Sequence, residues 1–478
     1  MTDGARADGV VNDGAMWDNT VVEGCATDST GTDDVPRAGA VSGGADITAA
    51  RSAQARASGA VHDRRILRHA TTRHGRRTAD LSRRIVLAAG RRASGAAIEV
   101  TEGGETFRLG RGESMAKVTV HDRRAYGALL RSGSGGLGTS YVAGWWDTDD
   151  LTALVRALSR DTRPLRERLD RLGRAWGAVL DVPARLATPG RDDDKRNIAE
   201  HYDLSNDFFA LMLDETMTYS CALFERPGAT LAEAQLTKVD RICTKLELAP
   251  TDHLVEIGSG WGALAVRAAT RYGCRVTTTT ISDAQRAYVK KRVADAGLSE
   301  RITVLGLNWR DLTGRFDKLV SVEMVEAVDW RWHDQFLAKC ATLLADDGLA
   351  AIQAIVIDDR SFERAKRHRD FVRRMVFPGG CVPSVASLTT SLARATDLRI
   401  VDLEDVGRHY AETLRRWADN LAAHADAVVA LGVSEEFRRL WDLYLAYCEA
   451  SFLERHISDV QLILAKPCRA GRLAVRPG

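Results

Sequence analysis

No stretch of the 478-residue sequence comes near the roughly 18 consecutive apolar residues that a membrane-spanning helix requires. The N-terminus also lacks the basic-then-apolar order of a secretory signal. Cysteine is sparse: eight residues, at 25, 221, 243, 274, 340, 381, 448 and 468, form no C-x-x-C pair and no short Cys/His cluster of zinc-site spacing. Free thiols, no metal site and a soluble protein of the reducing cytoplasm are the expectations. Internal repeats are absent. Net charge is nearly absent too, at +2, but the sum conceals an asymmetry. Residues 1–50 carry nine acids against two arginines, and residues 51–95 carry twelve arginines against two acids.

Against these absences stand 45% hydrophobic and 28% charged residues, ordinary globular usage over a length that suggests two or three domains. Residues 1–60 have no apolar periodicity and read as a disordered acidic tail. Arg64–Arg92 spaces Ile66, Leu67, Leu81, Ile85, Val86 and Leu87 among arginines, a basic amphipathic helix. Its face is either solvated or set against anionic lipid. It has no aromatic interleaving and no nucleic-acid reading motif, so nucleic acid is not an expected partner. From Ala97 the period changes to two, and 97–100, 105–109 and 116–121 read as short antiparallel strands. A glycine-rich loop, Gly133–Gly138, then leads to Trp145-Trp146, a pair suited to core packing or to an acyl chain. Residues 61–186 thus form a small α+β domain, and 187–196 a linker.

From about Asn197 to the end, helical and strand patterns alternate in the manner of an α/β domain with a largely parallel sheet. Seven strands are expected, at 253–257, 275–280, 302–305, 318–322, 349–356, 398–406 and 460–465. The charged, helical segment between 358 and 398 is too long for an ordinary connection and reads as a lid. The strongest local motif is Leu254-Val-Glu-Ile-Gly-Ser-Gly-Trp-Gly-Ala-Leu-Ala265, a buried strand entering a glycine turn and a helix. Dinucleotide and S-adenosylmethionine compete for such a corner. The G-x-G-x-G spacing, the missing acid at the end of the second strand, and Glu256 ahead of the turn favour the methyl donor.

Further motifs follow in collinear order: His201-Tyr-Asp-Leu-Ser-Asn-Asp207, Met217-Thr-Tyr-Ser-Cys-Ala222, Thr280-Ile-Ser-Asp-Ala-Gln285, Ser321-Val-Glu-Met-Val-Glu326, Phe377-Pro-Gly-Gly380, His409-Tyr410 with Trp417, and Cys448-Glu449. From His201 to Pro467 the chain resembles the cyclopropane-fatty-acyl-phospholipid synthases, a branch of the class I S-adenosylmethionine-dependent methyltransferases that includes the mycolic acid cyclopropane synthases. The resemblance implies a Rossmann-like seven-stranded sheet with a helical lid. It implies contacts to S-adenosylmethionine from Tyr219, Ser220, Glu256, Gly258, Gly260, Thr280, Ile281, Gln285 and Trp309. It also implies a bound bicarbonate as the base, held by Cys221 and Ile355 through their backbone N–H groups and by Glu326, Gln353 and Tyr410. Two positions depart from the family: Gln353 and Ala327 stand where many relatives have histidine.

The implied reaction is C-methylation of a cis double bond in the acyl chain of a phospholipid, closing a cyclopropane ring through a carbocation. The alternatives are a 10-methylene product that precedes a methyl branch, or N-methylation of a small molecule. A non-catalytic binding protein is a third class, and retention of Glu256, Gln285, Glu326 and Tyr410 speaks against it. An unsaturated phospholipid and a membrane surface met peripherally are the expected partners, and a homodimer is compatible with the sequence.

Overall fold

The computed structural model describes residues 76–92, 96–159, 205–367 and 370–470. The expected acidic tail, residues 160–186 of the expected small domain, the linker at 187–196 and 201–204 of the motif at 201–207 lie outside them. Among the described residues no helix is long and apolar enough to cross a membrane.

A helix, Arg76–Gly90, precedes a four-stranded sheet of β1 (Ala97–Glu102), β2 (Glu105–Leu109), β3 (Ser114–Val120) and β4 (Trp146–Thr148), in the order β2-β1-β3-β4. Gly103 and Gly104, both at positive φ, close a tight hairpin between β1 and β2. The sheet is mixed, not antiparallel throughout as expected, because β1 and β3 run parallel. The chain leaves β2 through Gly110–Glu113 and recrosses the start of β1, where the Ala97 N–H donates to the Glu113 carbonyl at 2.9 Å.

The expected glycine loop at 133–138 is also corrected, since Ser134–Val142 is a helix. Its glycines serve close packing rather than loop freedom. A Cβ on Gly136 would lie 1.9 Å from the Ala128 carbonyl oxygen, and one on Gly138 would lie 2.4 Å from the ring of Phe371. Trp146 is core, with its indole N–H donating to Ser140 Oγ at 2.9 Å, while Trp145 is half-buried beneath the Arg124 guanidinium.

The second sheet has seven strands: β5 (His253–Ile257), β6 (Arg275–Thr279), β7 (Ile302–Leu305), β8 (Phe316–Val322), β9 (Leu344–Ile357), β10 (Arg399–Asp405) and β11 (Ile457–Ala465). Their order is β10-β11-β9-β8-β5-β6-β7, parallel from β7 to β9 and antiparallel at β11 and β10. All seven expected strands are present. The central strands carry continuous apolar runs such as Leu254-Val255 and Leu319-Val320, buried on both faces, whereas the edge strand β10 is exposed along most of its length. The insertion between β9 and β10 folds into helices Asp359–Ala365, Phe371–Met375 and Val385–Ala395. Phe371 anchors it by packing against Gly138 and Tyr447.

A long helix, Glu435–Leu453, joins the two sheets' surroundings. From it Arg439 donates to the carbonyls of Tyr141 and Trp146, pairs with Asp147 at 2.7 Å, and lies over the Tyr141 ring. The small module and the larger sheet therefore share a core that includes Trp146, Phe371 and Trp441.

Candidate active site

Parallel strands leave their carboxyl ends along one edge of the sheet, the edge where α/β proteins hold their ligands. β5 ends there in the glycine turn. Gly258, Gly260 and Gly262 have φ of 96°, 48° and 86°, values that residues with a Cβ rarely adopt. The Gly258 and Ser259 N–H groups donate to the Thr279 carbonyl on β6, which fixes the turn. A Cβ on Gly260 would enter open space, so the backbone there lines a cradle rather than a packed contact. Beside it Gln285, buried, accepts from the Thr280 hydroxyl at 2.9 Å, which leaves its amide nitrogen as a donor. Ile281 follows between them, half-buried. Trp309, past β7, is buried edge-on against Phe336 under the Arg310 guanidinium.

Other expected cofactor residues are engaged by protein. Glu256 lies inside the sheet, accepting from the Thr278 hydroxyl at 2.5 Å. Burial pushes its carboxyl up to about 8. Tyr219 shares a hydroxyl contact with Tyr444 at 2.9 Å, and Ser220 Oγ accepts from the buried Lys238 at 2.7 Å.

The carboxyl edge of β8 and β9 holds a second cluster. Glu326, in the turn Val325–Ala327, accepts through Oε1 from the Ile355 N–H on β9, a donor that the resemblance had assigned to a bound bicarbonate. Its Oε2 has no hydrogen-bond partner. Burial, then the nearby charge of Glu323, pushes the Glu326 carboxyl up to about 8. Three of the donors assigned to an anion beside it, from Cys221, Gln353 and Tyr410, converge instead on a protein carboxylate, that of Glu323. Glu323 Oε1 accepts from the Cys221 N–H at 2.8 Å and from the Gln353 amide at 2.9 Å, and Oε2 accepts from the Tyr410 hydroxyl at 2.5 Å. Burial sets the Cys221 thiol well above its ordinary value, so the residue contributes through its backbone rather than as a thiolate.

Three residues of this cluster carried no assignment in the sequence. Asp459, fully buried on β11, accepts from the Gln353 amide at 2.7 Å. Burial, then the charge of Glu323, holds its carboxyl well above the ordinary range. Lys238 is a buried ammonium on helix Leu231–Lys245. Burial lowers its pKa, opposed by the charge of Glu323. Glu323 itself stood in the quoted motif Ser321–Glu326, and a second acid three residues before Glu326 was the available signal.

The raised carboxyls have a consequence for stability. The unfolded chain loses the Glu256 proton near 4.5, whereas the folded protein holds it to about 8. Between these values the native state binds more protons, so this group's contribution falls as pH rises. Glu256→Gln is expected to flatten that decline, leaving urea stability less dependent on pH between about 5 and 8 than in the parent.

The twisted sheet, the glycine turn at the end of β5 and the open cradle define a class I S-adenosylmethionine-dependent methyltransferase. The mycolic acid cyclopropane synthetase family matches residues 190–462, and the chain belongs to it. The chain is 38% identical to the tuberculostearic acid methyltransferase of Mycobacterium tuberculosis, over 70% of this chain and 80% of that protein. It is 31% identical to the cyclopropane-fatty-acyl-phospholipid synthase of Escherichia coli K12, over 76% of this chain and 92% of that one. Among solved structures, a mycolic acid cyclopropane synthase complexed with SAH and CTAB superposes with a TM-score of 0.53 at 32% identity, covering 57% of this chain and 98% of that one.

Proposed function

We propose that this enzyme, a lipid methyltransferase by its relatives, adds a methyl group to the cis double bond of unsaturated acyl chains in phospholipids. The observation that supports the reading is a carboxylate cluster adjoining the glycine turn, where a Cβ on Gly258 would meet Met324 at 3.2 Å, together with a wall of linked rings, Tyr410, Trp417, Tyr219, Tyr444 and Phe377, of which Tyr410 donates to Glu323. An unactivated alkene is a weak nucleophile, and such a wall excludes water that would compete for the methyl group or for the cation that follows. Bound S-adenosylmethionine supplies that methyl group as an electrophile.

Gly258 and Gly260 let the backbone approach the cofactor, the Gln285 amide meets its ribose, Thr280 and Ile281 shape the same wall, and Trp309 covers its adenine edge. Tyr219 closes the end toward the substrate. Ser220 acts by holding Lys238, and Glu256 by bonding Thr278 beneath the turn, so both support the cradle from behind. Of the two product types, the greater identity to a tuberculostearic acid methyltransferase supports the 10-methylene product, precursor of a methyl branch, over the cyclopropane. Bicarbonate has no place in this reading, since Glu323 takes three of its expected donors and Glu326 takes the Ile355 N–H.

The N-terminal module presents the lipid. On helix Arg76–Gly90, Leu81 and Ile85 are 60% and 44% exposed, one turn apart and next to exposed Arg84. That pattern suits an interfacial helix on an anionic membrane. Vesicles of oleoyl phosphatidylglycerol are expected to support S-adenosylhomocysteine release, and vesicles with saturated chains are not. Release that is equal on both, or only on soluble amines, contradicts the reading.

A further inference from the structure

Cys221, Gln353 and Tyr410 come from a loop, from β9 and from helix Arg408–Ala423, and all three present donors to the one carboxylate of Glu323. The backbone is bent to permit it. Glu323 has φ of 48°, a left-handed conformation that is sterically disfavoured for any residue with a Cβ and natural for glycine. Its N–H is tied to the Gln353 carbonyl at 2.8 Å, which holds that conformation. Behind it Gln353 and Asp459 are fully buried, whereas Glu323 and Glu326 keep accessible surface, so these two form the front of the cluster.

We propose that Glu323 is a built-in general base, taking the proton that methylation of the alkene releases, so that the enzyme works without a bound bicarbonate. The proposal rests on the reading of the chain as an acyl-chain methyltransferase. When the alkene π pair bonds to the incoming methyl carbon, the C–S pair leaves with sulfur and positive charge remains on the neighbouring alkene carbon. For a methylene product, a hydride migrates from the methylated carbon to that neighbour, a proton leaves the new methyl, and its C–H pair becomes the exocyclic double bond. For a ring, the same C–H pair bonds directly to the cationic carbon. One proton is released on either route. A lone pair of the Glu323 carboxylate accepts it, giving the neutral acid, which returns the proton to water when the product leaves. Tyr410, the Cys221 N–H and the Gln353 amide fix the carboxylate in position, and Gln353 needs no charge or proton of its own to do so. That accounts for an amide at a position where many relatives carry histidine.

The test uses the full chain with oleoyl vesicles in buffer stripped of carbon dioxide. Parent turnover is expected to be indifferent to added bicarbonate. Glu323→Gln, matched in size but unable to act as a base, is expected to lose about 10²-fold or more in turnover. Its calorimetric affinity for S-adenosylmethionine should stay near that of the parent, and it should remain folded at the assay temperature. Glu323→Gly suits the backbone and vacates the donors. It is expected to bind carbon-13-labelled bicarbonate, seen by NMR as a bound signal that the parent lacks, and to regain turnover when bicarbonate is added. A parent that requires bicarbonate, a folded Glu323→Gln that keeps most of its turnover, or a Glu323→Gly that binds none overturns the proposal. Failure of the functional reading shows separately, as a parent with no turnover on any unsaturated lipid, and the bicarbonate signal still reports whether Glu323 fills the anion's place.

Discussion

Lys238→Met is expected to make the stability of the chain fall more steeply as pH rises from about 4.5 toward 8. Lys238 is 2% exposed, and its ammonium donates to Ser220 Oγ at 2.7 Å. Methionine fills nearly the same volume, so the loss is electrostatic rather than a cavity. The cation opposes the charge of Glu323 inside a region where Glu326 and Asp459 are both held toward their neutral forms. Without it, Glu323 is either an uncompensated charge or must keep a proton that the unfolded chain would release near 4.5. A folded carboxyl raised further above its unfolded value loses stability as pH rises between the two. The deficit should therefore be small near pH 4.5 and grow toward pH 8. Urea unfolding of both proteins at the two ends of this range measures it. A deficit that does not change with pH would mean that Lys238 acts by packing alone.

Tyr410→Phe is expected to lower turnover roughly 10- to 100-fold, the worth of one hydrogen bond to a charged group. The ring itself is stacked on Phe452 with centroids 4.4 Å apart, and phenylalanine keeps that contact, so folding should change little. What disappears is the hydroxyl donor to Glu323 Oε2. A carboxylate with one donor fewer is more basic, so the acid limb of the rate–pH profile should move to higher pH. The affinity for S-adenosylmethionine should stay where it was. Unaltered turnover with an unaltered acid limb would place Tyr410 outside the chemistry.

The larger sheet was legible because its central strands are buried on both faces and read as apolar runs, from Leu254-Val255 to Leu462–Leu464. The helical insertion between β9 and β10 was legible from its length. The small sheet was legible in its strands but not in its pairing, since nothing in a run of alternating residues tells whether the next strand turns back or crosses over. Gly135, Gly136 and Gly138 misled for a physical reason, because glycine marks close backbone approach as readily as it marks a loop, and only the neighbouring Ala128 and Phe371 distinguish the two. In the site, the motif Ser321–Glu326 was readable, but which of its two acids meets Cys221, Gln353 and Tyr410 depends on the left-handed backbone at Glu323. Lys238 and Asp459 left no trace. A lysine on an amphipathic helix ordinarily faces water, and Asp459 stands just ahead of the apolar run that marks β11.

The central claim, methyl transfer to an acyl double bond, is tested most directly by carbon-13 NMR of oleoyl phospholipid after incubation with the full chain and methyl-labelled S-adenosylmethionine. The account predicts that the label enters the acyl chain as an olefinic methylene carbon. Label in a shielded ring carbon would keep the claim and reverse the product. An acyl chain without label, beside an enzyme that binds the cofactor, would contradict the account.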